Sequence, residues 1–240
     1  MHYTSISNPK IKELKKLETK KHRDLSGKFL VETEHLVKEA FESGFLEEVL
    51  VLENSGFSLD IKTSTVNETV LKYLSNMPSP SKVIGICHKK EEELKGDKIL
   101  ILDDIQDPGN IGTIIRSSVA FDVDTIVLST GCADIYSDKV IRASQGMLFK
   151  INIIRKDLTI VIEELQKQSY KILGTKVTNG KNIEILEKTD KFSIIMGNEG
   201  NGVSKEILDL CDDYIYIDIS DKCESLNVGV ATSIILYELR

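Results

Sequence analysis

ILILDDIQDPGNIGTIIRSSVAFDVDTIVL, residues 99–128, is the stretch whose reading decides the fold. Ile99, Leu100, Ile101 and Leu102 form an unbroken apolar run, which suits a strand covered on both faces. Two aspartates follow, and then Asp107-Pro108-Gly109-Asn110, dense with turn and helix-start residues. Ile111, Ile114, Ile115, Val119 and Phe121 then favour one side of a helix, and residues 125–128 read as the next strand. The result is a β-loop-α-β unit. Its loop carries Asn110 and, one turn into the helix, Arg116, at the strand edge where open α/β sheets bind ligands.

Working outward, composition sets bounds. The chain has 240 residues, 41% of them hydrophobic and 29% charged, as in an ordinary globular protein of one or two domains. No apolar run approaches the roughly 20 residues that span a bilayer. The opening MHYTSISNPKIKELKK lacks the apolar core of a secretory signal. Cys87, Cys132, Cys211 and Cys223 are scattered and form no CxxC pair, so they read as reduced thiols and not as a zinc site. These features point to a cytoplasmic protein with no membrane and no metal. The net charge is −7, yet residues 1–28 hold eight Lys/Arg against three Asp/Glu. A basic segment on an acidic body suits a grip on a phosphate backbone, and equally a solvated lysine-rich helix face.

Before the central stretch, the pattern predicts helices over 10–21, 34–43 and 67–75. It predicts strands over 28–32, 48–52, 61–66 and 83–87. The charged, apolar-poor segment 89–97 reads as the link between domains. The boundaries drawn from it are an N-terminal α/β domain over 1–90, a linker over 91–97 and a second domain over 98–240. Beyond residue 128, helices are expected over 137–146, 158–168, 204–211 and 225–239. Strands are expected over 151–154, 170–174, 192–196 and 214–219, with a longer loop holding Asn179 and Gly180. Strands alternating with helices predict a mostly parallel sheet.

Two more stretches have the makings of a site. IIMGNEGNG, residues 194–202, ends a strand in glycines, which favours close approach of backbone to a ligand. Its Gly-x-x-Gly-x-Gly spacing is neither the dinucleotide fingerprint nor a P-loop. In ESLNVGVA, residues 224–231, Ser225 reads as the N-cap of the last helix and Asn227 as a polar residue needing a partner. That helix is apolar nearly all round, and Gly229, Ala231 and Ser233 would let another helix approach closely.

Asn110-Ile111-Gly112-Thr113-Ile114-Ile115-Arg116 has the Asn-x-Gly-x-x-x-Arg form of the first motif of the SpoU (TrmH) class of RNA ribose methyltransferases. The three stretches together resemble that family's motifs in order and spacing over residues 99–239, and 134–146 is similar as well. The N-terminal piece resembles the L30e-like RNA-binding domain, with Glu32-Thr33 standing where a Glu-Gly is usual. The resemblance implies an α/β fold of the SPOUT kind, a mostly parallel sheet whose C-terminal chain forms a trefoil knot. Beside it stands a smaller L30e-like domain. It also implies S-adenosylmethionine as cofactor, a homodimer, and RNA as substrate, ribosomal RNA ahead of tRNA. By position, Gly197, Ile217, Leu226 and Thr175 would bind the cofactor. Arg116, Asn110, Glu199, Asn227 and Ser225 would form the reaction site. Two departures stand out: Asp218 where a proline is usual, and Gly229 where a serine is usual.

All four histidines precede residue 89, so the second domain has no imidazole base. Arginine stays protonated in water, so Arg116 is expected to clamp a phosphate and the developing alkoxide electrostatically. The rival readings are a base-directed methyltransferase and an RNA-binding protein of this fold without turnover. The retained Asn110, Arg116, Glu199 and Asn227 speak against the second.

Overall fold

The computed structural model describes residues 1–177, 180–186 and 191–240, so Asn179 of the expected loop lies outside the described residues. Chain contacts divide the molecule into two compact units, Met1–Lys90 with Asp134–Phe149, and Glu91–Ala133 with Lys150–Arg240. No described helix is long and apolar enough to cross a membrane.

The first unit runs β1 (His2–Tyr3), α1 (Pro9–Lys16), α2 (Lys20–Ser26), β2 (Lys28–Glu32), α3 (Glu34–Glu42), β3 (Leu46–Leu52), β4 (Thr63–Val66), α4 (Glu68–Leu74) and β5 (Val83–His88). Its sheet is mixed, in the order β1-β4-β3-β5-β2. β1, β4 and β3 lie parallel, and β5 lies antiparallel to both neighbours. The single helix expected over 10–21 is two helices. Arg23 donates from Nη1 to the carbonyls of Leu17 at 2.7 Å and Glu18 at 2.8 Å, taking up helix-end acceptors while Thr19 turns extended to start α2. The same buried guanidinium donates from Nε and Nη2 to the Asp134 carboxylate at 3.0 and 2.6 Å. Phe29 lies against Tyr136 and Phe149. These contacts count residues 134–149, expected within the second domain, with the first unit. Thr33 occupies φ 88°, a region where a β-branched residue is strained, and its hydroxyl caps α3 at the Leu36 N–H.

The second unit opens with β6 (Lys98–Leu102), α5 (Pro108–Ala120) and β7 (Thr125–Leu128). The chain then gives α6 (Asp138–Ala143) to the first unit. It returns with β8 (Asn152–Arg155), α7 (Leu158–Lys167), β9 (Ile172–Thr175), β10 (Lys181–Asn182), β11 (Phe192–Met196), α8 (Lys205–Leu208), β12 (Asp213–Tyr216) and α9 (Val228–Leu239). This sheet is parallel throughout its described strands, in the order β10-β12-β9-β11-β6-β7-β8. β6 lies between β11 and β7, and its four apolar residues are fully buried, as the unbroken run predicts.

Two helix starts differ from expectation. Asp107 caps α5 by accepting from the Asn110 N–H at 2.8 Å, so Asn110 lies in the first turn and not in the loop. α9 begins at Val228 with Asn227 as its cap, so Ser225 stands outside the helix. The two helices pack side by side at four-residue intervals. A Cβ on Gly229 would lie 3.1 Å from Thr113, the Ser117 and Ser233 hydroxyls meet at 2.6 Å, and Phe121 meets Tyr237 edge-on. Gly229 and Ser233 thus admit α5 of the same chain.

Glu48, fully buried on β3, binds the ammonium groups of Lys10 and Lys62 at 2.5 and 2.8 Å and the Ser64 hydroxyl at 2.8 Å. Burial alone would raise its carboxyl, but these three donors hold it below its ordinary 4.5. A depressed folded pKa stabilises fully above the unfolded value and stops contributing as pH falls through the folded one. The stability gap in urea between wild type and Glu48→Gln is therefore expected to be widest near neutral pH and to close as pH falls below 4.5. A gap independent of pH would show that the carboxylate charge contributes nothing.

Candidate active site

The carboxyl ends of β6, β9, β11 and β12 point the same way, and the loops leaving them enclose the site. After β11 the chain folds back on itself: Asn198 and Gly202 exchange backbone hydrogen bonds at 3.0 and 2.8 Å. The fold-back is so tight that a Cβ on Gly197 would lie 2.0 Å from the Gly202 carbon and the Val203 nitrogen. Only glycine fits there. The loop is tied to the residues after β6. Asn198 Nδ2 donates to the Asp104 carbonyl at 2.9 Å, and the Ser204 N–H donates to Asp103 Oδ2 at 2.8 Å.

Beside this loop is a cavity of about 550 Å³. Thr175 and Lys176 at the end of β9, Gly197 and Glu199, and Ile217, Ile219, Ser225 and Leu226 line it, with Val228 and Ala231 from α9. The wall combines apolar side chains with polar groups in nearly equal measure, and a concave site of this size suits a small molecule. Thr175 is fixed by donating from Oγ1 to the Ile195 carbonyl at 2.8 Å. Nearby, burial pushes the Cys211 thiol up to about 11, which leaves it protonated and without nucleophilic character at neutral pH.

At the rim, the three sequence motifs meet in one line of hydrogen bonds. Asn227 Oδ1 accepts from the Gly229 and Val230 N–H groups at 2.9 and 3.3 Å. Its Nδ2 donates to Asn110 Oδ1 at 2.9 Å, and Asn110 Nδ2 donates to Glu199 Oε1 at 2.5 Å. Of the residues singled out from sequence, Gly197, Ile217, Leu226, Thr175, Glu199 and Ser225 line the cavity. Asn110 and Asn227 join it through Glu199. Arg116 stands apart, about 9 Å further along α5 and some 120° round it from Asn110. It is exposed and makes no hydrogen bond or ion pair among the described residues. Sequence reasoning missed Lys176, Tyr216 and Ile219. The available signal was position, since Lys176 directly follows β9, Tyr216 ends β12 and Ile219 lies in the segment just beyond it, at the carboxyl edge of a parallel sheet.

Residues 97–237 match the SpoU rRNA methylase family, and residues 8–85 match the MRM3-like substrate binding domain. The chain belongs to the SpoU rRNA methylase family. It is 37% identical over 242 residues to the 23S rRNA (guanosine(2553)-2'-O)-methyltransferase RlmP of Bacillus subtilis, covering 98% of each chain. A TrmH-family RNA methyltransferase structure from Porphyromonas gingivalis superposes with a TM-score of 0.88 at 28% identity, over 98% of each chain. The AdoMet-bound rRNA methyltransferase of Sinorhizobium meliloti gives a TM-score of 0.87 at 27% identity, over 100% of this chain and 97% of that one. Membership makes the protein an S-adenosylmethionine-dependent RNA 2'-O-ribose methyltransferase of SPOUT type.

The residues present fit that cofactor. The cavity is of suitable size, its Ile217, Ile219, Leu226 and Val228 walls suit an adenine, and the Gly197 turn brings bare backbone to its edge. Among the described residues no group of three His, Cys, Asp or Glu is placed to hold a metal. Gly197→Ala is expected to force the 197–203 fold-back open. Overpacking of this kind typically costs about 1–3 kcal/mol, so thermal melting should fall and calorimetric S-adenosylmethionine binding should be lost. A variant that binds like wild type would show that the fold-back is not what shapes the site.

Proposed function

We propose that this enzyme methylates the ribose 2'-hydroxyl of a guanosine in 23S ribosomal RNA. The line Glu199–Asn110–Asn227 at the cavity rim carries the reading, because it joins the three family motifs at one place. The near-full-length likeness to the Bacillus subtilis enzyme supports the choice of RNA. S-adenosylmethionine supplies a methyl group that is already activated, so alignment and handling of the hydroxyl proton are what the protein adds. Gly197, Ile217, Leu226 and Thr175 hold the cofactor. Glu199 and Asn110 orient the ribose, with Asn227 and Ser225 shaping the rim.

Arg116 completes this site from a second copy of the chain, since within one chain it points away from the cavity. A homodimer formed over α9 does this, and Val230 is about half exposed there. Gly229 and Ser233, engaged with α5, are not part of that face. The first unit binds the RNA. Many of its lysines are paired with acids, but Lys12 and Lys21 are exposed and free of ion pairs among the described residues. On this reading the segment after β12 is threaded into a trefoil knot before α9 returns to α5. The enzyme works in the cytoplasm, which suits its four free cysteines.

Arg116→Lys keeps the charge but loses the planar fork of donors. It is expected to methylate RNA at least about a hundredfold more slowly, the scale of losing one oxyanion donor, with S-adenosylmethionine affinity little changed. Single-turnover assays on transcribed ribosomal RNA and tRNA, with mass spectrometry of the nucleosides, test residue, substrate and methyl position together. Wild-type rates, or a base-methylated product, would refute the assignment. Sedimentation should show a dimer at micromolar concentration and a monomer for Val230→Glu. A monomeric wild type would remove the shared site.

A further inference from the structure

Among the residues lining the cavity, two carry charge and their signs are opposite: Glu199, engaged with Asn110 at the rim, and Lys176, at the end of β9. Lys176 is half-buried, and no carboxylate lies within ion-pair distance of it among the described residues. It is nonetheless held in place. Its N–H donates to the Ile215 carbonyl at 3.0 Å, and its ammonium sits 3.4 Å from the centre of the Tyr214 ring. That ring is fixed in turn. The Tyr214 hydroxyl donates to the Leu208 carbonyl at 3.1 Å, and the missing side chain of Gly174 makes room for it, since a Cβ there would lie 3.3 Å from Cδ1. A cation anchored by an aromatic face beside the cavity, with no acid to neutralise it among the described residues, is arranged for an anionic ligand group.

We propose that Lys176 receives the amino-acid carboxylate of S-adenosylmethionine and is a cofactor-positioning residue of this enzyme. This rests on the cavity being the cofactor site. The ligand's charges are a sulfonium and an ammonium, both positive, and one carboxylate. Among the described residues the cavity offers an anion in the loop after β11, at the proposed reaction edge, and a single cation just after β9. The carboxylate is the only anionic group of the ligand, and among the described residues Lys176 is the only cation on the wall to match it. Half-burial limits competition from water and makes the pairing selective for ligands that carry the carboxylate.

The test is calorimetry on full-length wild type, Lys176→Met and Lys176→Arg with two ligands. S-adenosylhomocysteine carries the carboxylate, and methylthioadenosine keeps the adenosine and thioether but has no amino-acid group. Lys176→Met is expected to weaken S-adenosylhomocysteine at least about tenfold, the scale of one charge-assisted hydrogen bond. Methylthioadenosine binding should stay unchanged, and Lys176→Arg should recover most of the loss. Equal losses for both ligands would mean that the side chain only packs the wall, and would overturn the proposal. So would unchanged S-adenosylhomocysteine binding together with weakened RNA binding in a filter assay, which would assign the cation to an RNA phosphate. A wild type that binds neither ligand would instead overturn the cavity's assignment as the cofactor site.

Discussion

The side-chain amide of Asn227 has only one orientation open to it, and the rest of the rim follows from that. Its oxygen is committed to the first N–H groups of α9, the donors that any helix leaves unsatisfied. Its nitrogen must therefore donate, so Asn110 must present its oxygen to Asn227 and its own nitrogen outward. That nitrogen needs an acceptor, and Glu199 supplies one. The direction of every hydrogen bond in the line is thus set by the start of a helix. A carboxylate, which only accepts, is the side chain that ends such a line without ambiguity.

For that line to close, three segments far apart in sequence must meet within hydrogen-bond distance. Parallel pairing of β6 with β11 puts the ends of both strands on one edge. The Gly197 fold-back then turns Glu199 toward α5, and the glycine and serine contacts between α5 and α9 let Asn227 approach Asn110. Small residues matter at both places for the same reason. Backbone must come closer to backbone or helix to helix than a larger side chain allows.

Much of this was legible in the chain. The run from Ile99 to Leu102 suited a covered strand, Asn227 read as a polar residue in need of a partner, and Asn110 and Glu199 were picked out by the resemblance to the SpoU motifs. What escaped reading depends on partners distant in sequence. The helix expected over 10–21 breaks because Arg23, held by Asp134, takes the Leu17 and Glu18 carbonyls, which no local pattern announces. Ser225 is a good capping residue by type, yet Asn227 takes the cap because its amide both caps and reaches Asn110. Gly229, Ala231 and Ser233 read as one small-residue face for an outside helix. In three dimensions Gly229 and Ser233 serve α5 and Ala231 lines the cavity. Lys176 was invisible because a lysine after a strand is common, and its meaning comes only from the Tyr214 ring beneath it and the cavity beside it.

The placement of charge also favours the proposal that the chemistry divides between two copies. Methylating a hydroxyl releases its proton, and the residues of this unit include no histidine to take it. Glu199 uses one oxygen to accept from Asn110, which leaves the lone pairs of the other for a ribose hydroxyl. Arg116 has donors only, so it stabilises negative charge on oxygen or phosphate but accepts nothing. The acceptor and the donor are therefore different residues by chemical necessity. Placed side by side in one chain with no RNA between them, they would form an ion pair and spend on each other the charges that the substrate needs. In this chain α5 turns Arg116 away from Glu199 and leaves it unpaired among the described residues. In the proposed dimer, a donor supplied from a second copy would keep both charges unspent until the ribose and its phosphate lie between them.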